Sequence, residues 1–355
     1  MRVPARWAIR EKTMEERPPD PRKTNPLTPD SLAAEGAGDG DQNLTARLGR
    51  YGTGKNRSHQ MAGHVLATGD CNLAQRLYRC ASFLHFREWL THDSRMTLHR
   101  GHFCQVPLLC PVCAIRRGGK MLRRYVERAE FISRTHDLHL VTLTVKNGPD
   151  LWERYLHLKH AIKRLRTRGR DGYGAFARAD GALWSTEFTN KGNGWHPHVH
   201  MVWAIPRDQS FDSLSDLIAW GEGSQLRQDW HAITGDSFIV HQVPIKGDRE
   251  SLVAAFCEVL KYALKFSSLT LEDNLAAYRT LKGQRLISSC GIWWGLELPE
   301  DAKIEDDPLD GPFIEHVYRF AGSRGYVLDD VFPGCVDTPL RANSVTTTLA
   351  PMEHP

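Results

Sequence analysis

Residues 194–203 read GWHPHVHMVW, with histidines at every second position running straight into apolar residues. In a strand, alternate residues share a face. Pro197, Val199, Met201, Trp203 and Ile205 then form an apolar face that belongs in a core, and His196, His198 and His200 point the other way. Upstream, GALWSTEFT reads as a partner strand, and the intervening NKGNG carries an Asn-Gly hairpin-turn signal. A loop at residues 191–194 sets Asn190 against Trp195 and Glu187 directly opposite His198. Opposed residues on one face have Cβ atoms about 4.5–5.5 Å apart, so two imidazoles and a carboxylate converge. That is a three-ligand metal set with positions left open for substrate, and His196 is expected to stand outside it. A mixed nitrogen and oxygen set within a basic chain favours Mg²⁺ or Mn²⁺ over a hydrolytic zinc. The Asp-His that a metallo-β-lactamase-type hydrolase would place after its paired histidines is missing from HPHVHMVW, and helical patterns elsewhere exclude an all-β cupin.

The 355-residue chain carries a net charge of +4, but the charge is segregated. Residues 100–170 hold 16 Lys/Arg against 5 Asp/Glu, and residues 296–355 hold 4 against 12. A central block this basic suits a nucleic-acid binder. No apolar run reaches the roughly 18 residues of a membrane span, and the charged N-terminal stretch does not read as a secretory signal, so a cytoplasmic protein is expected. Four segments follow from pattern: a disordered basic and polar arm over 1–65, a Cys-rich module with a basic helix over 66–130, a block of alternating strand and helix signals over 136–295, and an acidic extension over 296–355 that is disordered at its end. Strand signals at LHLVTLTV, GALWSTEFT, WHPHVHMVWAI and SFIVHQVPI alternate with amphipathic helices at DLWERYLHLKHAIKRLRTR and ESLVAAFCEVLKYALKF. The predicted fold class is α+β, a central antiparallel sheet flanked by helices.

The last of those helices carries Glu258, Tyr262 and Lys265, which at 100° per residue fall within about 60° of one another. Leu252, Val253, Phe256, Val259, Leu260 and Leu264 cluster on the opposite side, so Tyr262 lies outside the apolar stripe where a structural tyrosine belongs. HPHVH followed by Glu-x-x-x-Tyr-x-x-Lys resembles the HUH endonuclease superfamily. LVTLTVKN, FCQVPLLCPVCAIRR and LKGQRLISSCG are similar to further segments of its rolling-circle plasmid replication initiators, over about residues 75–295. Conjugative relaxases place the tyrosine before the histidines, and two-tyrosine initiators carry a second tyrosine where this chain has Glu258. The match is therefore to the one-tyrosine initiators with a catalytic glutamate.

The resemblance implies an HUH, RRM-like core in which His198, His200 and Glu187 hold a divalent cation, Mg²⁺ or Mn²⁺, with Glu187 the more variable ligand of the three. It implies that Tyr262 attacks the scissile phosphate, leaving a 5′-phosphotyrosyl enzyme and a 3′-OH primer. Lys265 would offset charge or orient the tyrosine, and Glu258 would activate water for the terminating cut. Partners would be plasmid origin DNA, as a hairpin or single-stranded nick site, together with the host helicase, single-strand-binding protein and DNA polymerase. A single-strand transposase with the same site and a non-catalytic zinc-module repressor are the rival readings.

Eight cysteines in a reducing compartment suit metal ligation better than disulfides. Cys104, Cys110 and Cys113 give C-x5-C-x2-C, and Cys80 or His102 supplies a fourth ligand for structural Zn²⁺. Arg116, Arg117, Lys120, Arg123 and Arg124 follow the cysteines, and Lys163, Arg164, Arg166, Arg168 and Arg170 end a later helix. Both groups are expected to track DNA phosphates without reading bases.

Overall fold

The computed structural model describes residues 44–91, 94–209, 225–237, 239–260, 269–295 and 311–336. Chain order is α1 (Leu44–Ala67), α2 (Cys71–Arg79), β1 (Phe83–Trp89), β2 (Arg95–Gly101), α3 (Pro111–Ile132), β3 (His136–Thr144), α4 (Leu151–Arg170), β4 (Gly181–Asn190) and β5 (Trp195–Pro206). There follow α5 (Gln225–Thr234), β6 (Val240–Ile245), α6 (Arg249–Val259), α7 (Leu271–Leu281), β7 (Ile287–Gly291), β8 (Gly311–Phe320) and β9 (Tyr326–Val336). Tyr262 and Lys265, and with them the far end of the predicted catalytic helix, lie outside the described residues.

The central sheet has strand order β6-β3-β5-β4-β7, and every pairing in it is antiparallel. Its two faces are covered differently. Val199, Met201, Trp203 and Ile205 of β5 pack with Leu158, Ile162 and Leu165 of α4 and Trp230 of α5. On the other face Val202 and Ala204 join Leu122 and Val126 of α3 and Leu252 and Phe256 of α6. Aspartates cap two of these helices: Asp150 accepts from the Glu153 N–H at 2.8 Å and Asp248 from the Ser251 N–H at 2.8 Å. The α+β class and the antiparallel sheet are therefore as the sequence pattern implies.

Two boundaries differ from it. The arm expected to reach residue 65 is helical from Leu44 onward, because Tyr51, Met61 and Val65 are fully buried against the rest of the core. The acidic extension contains β8 and β9, which complete a second antiparallel sheet of order β2-β1-β8-β9. Leu84 and Phe86 of β1 place its inner face in the same core cluster as α3 and the central sheet, so the Cys-rich segment and the 136–295 segment share one core. Residues 337–355, expected to be disordered, lie outside the described residues.

Candidate metal centre and cysteine cluster

The β4–β5 hairpin has the register that its turn sequence implies: Asn190 pairs with Trp195 and Glu187 with His198. Gly192 and Gly194 take φ of +90° and +91° in the connecting loop, the left-handed region that favours glycine. Gly194 also lies so close to β3's outgoing chain that a Cβ there would come within 2.7 Å of the Gly148 carbonyl oxygen.

Glu187, His198 and His200 are all buried, and one ligand atom from each lies within 4.8 Å of the others. His198 Nε2 is 2.9 Å and His200 Nε2 3.1 Å from the same oxygen, Glu187 Oε2. Ligands that share one divalent cation through bonds of roughly 2.1 Å sit about 3.0–3.4 Å apart, so both spacings to Glu187 are compatible with a shared ion. His196 sits outside the set, half-buried, and burial followed by the neighbouring His198 and Lys191 charges pushes its imidazole below the usual value. Thr142 of β3, paired with His200 across the sheet, brings its hydroxyl to 3.0 Å from His200 Nδ1. That contact leaves His200 Nε2 as the ligating nitrogen. Thr142 was not singled out from sequence, although the alternation in LVTLTV sets it on the histidine face.

Glu258, near the end of α6, places Oε1 3.8 Å from His200 Nε2, with 30% of its side chain exposed against 1% for Glu187. The end of the helix is fixed by Ser185, whose hydroxyl donates to the Val259 carbonyl. From Glu258 an open cleft of about 610 Å³ runs between α6 and edge strand β6, past Thr142, His241 and Lys246. One buried carboxylate for a metal and a second, solvent-reachable carboxylate beside it are thus held by separate elements.

Cys80, Cys104, Cys110 and Cys113 converge into a buried cluster, and the fourth member is Cys80; His102 is exposed and outside it. Sulfur separations of 3.6 Å (Cys80–Cys113), 3.5 Å (Cys104–Cys113) and 3.5 Å (Cys80–Cys110) approach the ~3.8 Å edge of a tetrahedral zinc site. Hydrogen bonds from the Cys104, Cys110 and Cys80 thiols push the Cys113 thiol down, whereas burial pushes Cys110 up. Four thiols this close can share charge only if they bind a cation or keep their protons. The neighbouring ammonium of Lys55 donates to the Tyr78 and Cys80 carbonyls and to Ser82 Oγ at 3.3 Å. Burial pushes that lysine down to about 8, against the opposing pull of the cysteines.

The basic residues divide. Arg116, Lys120 and Arg123 line one cavity, Arg117 lines another beside Ser185 and Leu260, and Arg124 is exposed. Lys163, Arg166 and Arg170 line a third with Asp180 and Cys290. Arg164 and Arg168 instead tie α4 to α5, through the Ile233 carbonyl at 2.7 Å and Asp229 at 3.2 Å, so their guanidiniums are held as structural contacts.

A His-x-His strand paired with a buried carboxylate on a helix-flanked antiparallel sheet, joined to a four-cysteine cluster, defines an HUH, RRM-like fold with a metal-binding module. The family model for replication proteins, Rep_1, matches residues 95–310, more than half of the chain, and the chain belongs to that family. No curated protein and no solved structure matches it. Family and metal cluster together support nuclease activity of the HUH type in replication initiation, and membership implies binding to origin DNA. Among the described residues no helix is long and apolar enough to cross a membrane.

Proposed function

We propose that this protein is a rolling-circle initiator, cytoplasmic, that nicks one strand of a plasmid double-strand origin through Tyr262. The single observation that carries the reading is the convergence of Glu187, His198 and His200 with Glu258 3.8 Å from His200. Glu187, His198 and His200 would hold Mg²⁺ or Mn²⁺, which when bound polarises the scissile phosphate. The Tyr262 phenolic oxygen attacks phosphorus and forms the 5′-phosphotyrosyl bond. The P–O3′ bond breaks, and the phenolic proton ends on the freed 3′-OH, which primes synthesis by the host polymerase with its helicase and single-strand-binding protein. Lys265 offsets charge at the attacking oxygen. Glu258 takes a proton from the water that makes the terminating cut, since the tyrosine is still esterified when the origin is regenerated. The four cysteines would hold Zn²⁺ as a structural ion.

The replication-protein match favours initiation over transposition and over a non-catalytic repressor. The test is SDS-resistant attachment to DNA of the encoding replicon with Mg²⁺ or Mn²⁺. Wild type should yield a covalent adduct and a free 3′-OH, and Tyr262→Phe should bind the same DNA without an adduct. An adduct surviving in Tyr262→Phe would remove the nucleophile assignment. Accumulation of unit-length circles by Glu258→Ala at the wild-type yield would remove the role given to Glu258.

A further inference from the structure

Lys55 of α1 is a lysine with no exposed surface, and nicking chemistry gives it no role. Its side-chain nitrogen donates to the Tyr78 and Cys80 carbonyls and to Ser82 Oγ at 3.3 Å. The rings of Tyr78 and Phe320 lie beside it, each with its centroid 5.9 Å away. Among the described residues no carboxylate pairs with it. The groups whose charge pulls on it are Cys80, Cys110 and Cys104, three members of the four-cysteine cluster. A cation withdrawn from water needs a group of opposite charge close by.

Helix capping explains only part of the contact. Tyr78 and Cys80 lie at the C-terminal end of α2, where unpaired carbonyls attract a cation. Ser58 and His59, one turn further along α1, already serve that end through the Leu77 and Tyr78 carbonyls, each at 3.1 Å. A helix end carries roughly half an elementary charge, too little to balance a whole buried cation. Nor is the lysine free to swing outward. Tyr51 and Ser58 on either side of it in α1 are fully buried, and Arg57 donates to the Leu269 carbonyl at 3.1 Å.

The cysteines supply the missing charge when a metal ionises all four. Four thiolates on one divalent cation leave a net double negative charge, whereas four protonated thiols leave none. Two cations flank the cluster to meet it. Lys55 is the buried one, held at the Cys80 carbonyl, and Arg76 reaches the Cys104 carbonyl at 2.6 Å from the exposed side of α2. We infer that Lys55 is a positioning residue for the cysteine site: its buried ammonium is the counter-charge of the metal-bound thiolates and sets how tightly they hold the ion. The inference rests on the reading that the four cysteines bind Zn²⁺.

The test is competition for Zn²⁺ between the full-length protein and a chelator of known affinity, with four-sulfur coordination verified by the thiolate-to-metal absorption of a Co²⁺-loaded sample. Lys55→Met keeps the length of the side chain and removes its charge. It should weaken zinc binding ~10–100-fold, the effect typical of a lost outer-shell partner. Lys55→Gln keeps N–H donors for the carbonyls, should weaken binding similarly, and guards against a packing defect in the Met variant. Ser82→Ala removes an acceptor but leaves the charge, and should match wild type. A second readout separates counter-charge from helix cap. In iron-loaded protein the reduced site carries one more negative charge than the oxidised site, so loss of Lys55 should weaken Fe²⁺ more than Fe³⁺. A 10-fold difference moves the one-electron midpoint potential about 59 mV more negative. A residue that only caps α2 leaves the potential where it is. Wild-type zinc affinity in both neutral variants overturns the proposal, as does a loss of affinity that leaves the potential unmoved. Wild-type protein that holds no metal at its cysteines would remove the zinc reading itself, and the inference with it.

Discussion

Replacing Glu187 by Gln keeps the volume and one carbonyl oxygen but removes the only formal negative charge among the three buried ligand groups. The side chain is 1% exposed, so water cannot easily take its place. Loss of an outer-shell hydrogen bond already weakens metal binding by about 10–100-fold, so losing a direct carboxylate should reach at least the upper figure. Consider Mn²⁺ at 100 times the wild-type dissociation constant. Linkage then stabilises wild type by about 2.7 kcal/mol, and a variant binding 100-fold more weakly by only ~0.4 kcal/mol. For a domain of this size 1 kcal/mol moves the melting temperature by roughly 2–4 °C, so the Mn²⁺-induced rise should be about 5–11 °C in wild type and ~1–2 °C in Glu187→Gln. The assay is thermal unfolding with and without Mn²⁺, with the zinc content of both proteins verified beforehand. The metal-free melting temperature is not the readout, because removing a buried carboxylate relieves desolvation as well as breaking contacts. An equal rise in the two proteins would refute Glu187 as a ligand and with it the inference from hairpin register.

Thr142→Val removes the hydroxyl 3.0 Å from His200 Nδ1 at almost constant volume, and Mn²⁺ affinity by calorimetry should fall ~10–100-fold with the fold intact. Cys110→Ser replaces a fully buried member of the cysteine cluster. Because structural zinc supplies roughly 10–16 kcal/mol of apparent binding free energy, the variant should lose zinc by elemental analysis and most of its soluble yield, whereas exposed Cys71→Ser should keep both. His139 is buried beside Gln242, and burial pushes its imidazole from 6.5 to about 4. A base with a depressed folded value contributes stability present above pH 6.5 and lost as the pH falls toward 4. Wild type should therefore lose about 3 kcal/mol over that window relative to His139→Leu, measured by urea unfolding. Parallel stability curves for the two proteins would exclude that titration.

The convergence of Glu187 with His198 and His200 was legible in the sequence because it depends on local rules. A period of two fixes which side chains share a face, and an Asn-Gly turn fixes which residues oppose each other, so Glu187 could be paired with His198 before any coordinates. The sheet of β1, β2, β8 and β9 was not legible. Its central pair, Phe83–Trp89 with Gly311–Phe320, joins segments more than 200 residues apart, and its C-terminal pair lies in a stretch whose acidity disguises strand alternation. Helix α1 was hidden for a different reason. Gly49, Gly52, Gly54 and Gly63 each lower intrinsic helicity by about 1 kcal/mol relative to Ala, and burial of Tyr51, Met61 and Val65 overrides them. Nor can composition separate cations that face a cavity from those that hold a fold together: Arg164 and Arg168 differ from Lys163 and Arg166 only in their phase around α4.

The helical cover of β5 accounts for where the candidate metal cluster sits. The even-numbered face of β5 is dry core at Ala204 and Val202, beneath α3 and α6, and becomes ligand-bearing at His200 and His198. The change falls beside the last turn of α6, where Ser185 holds the Val259 carbonyl and Glu258 reaches the open cleft. An imidazole buried one pair deeper would replace an apolar residue in packed core with a polar group short of partners, at a penalty of several kcal/mol. One pair further out, His196 is only half-buried and stands outside the set. The candidate ligands in the intervening step are held by the sheet on one side and lie beside the open cleft on the other. Under the proposed function, a centre that binds an ion firmly and still admits a phosphodiester belongs at this rim of the helical cover.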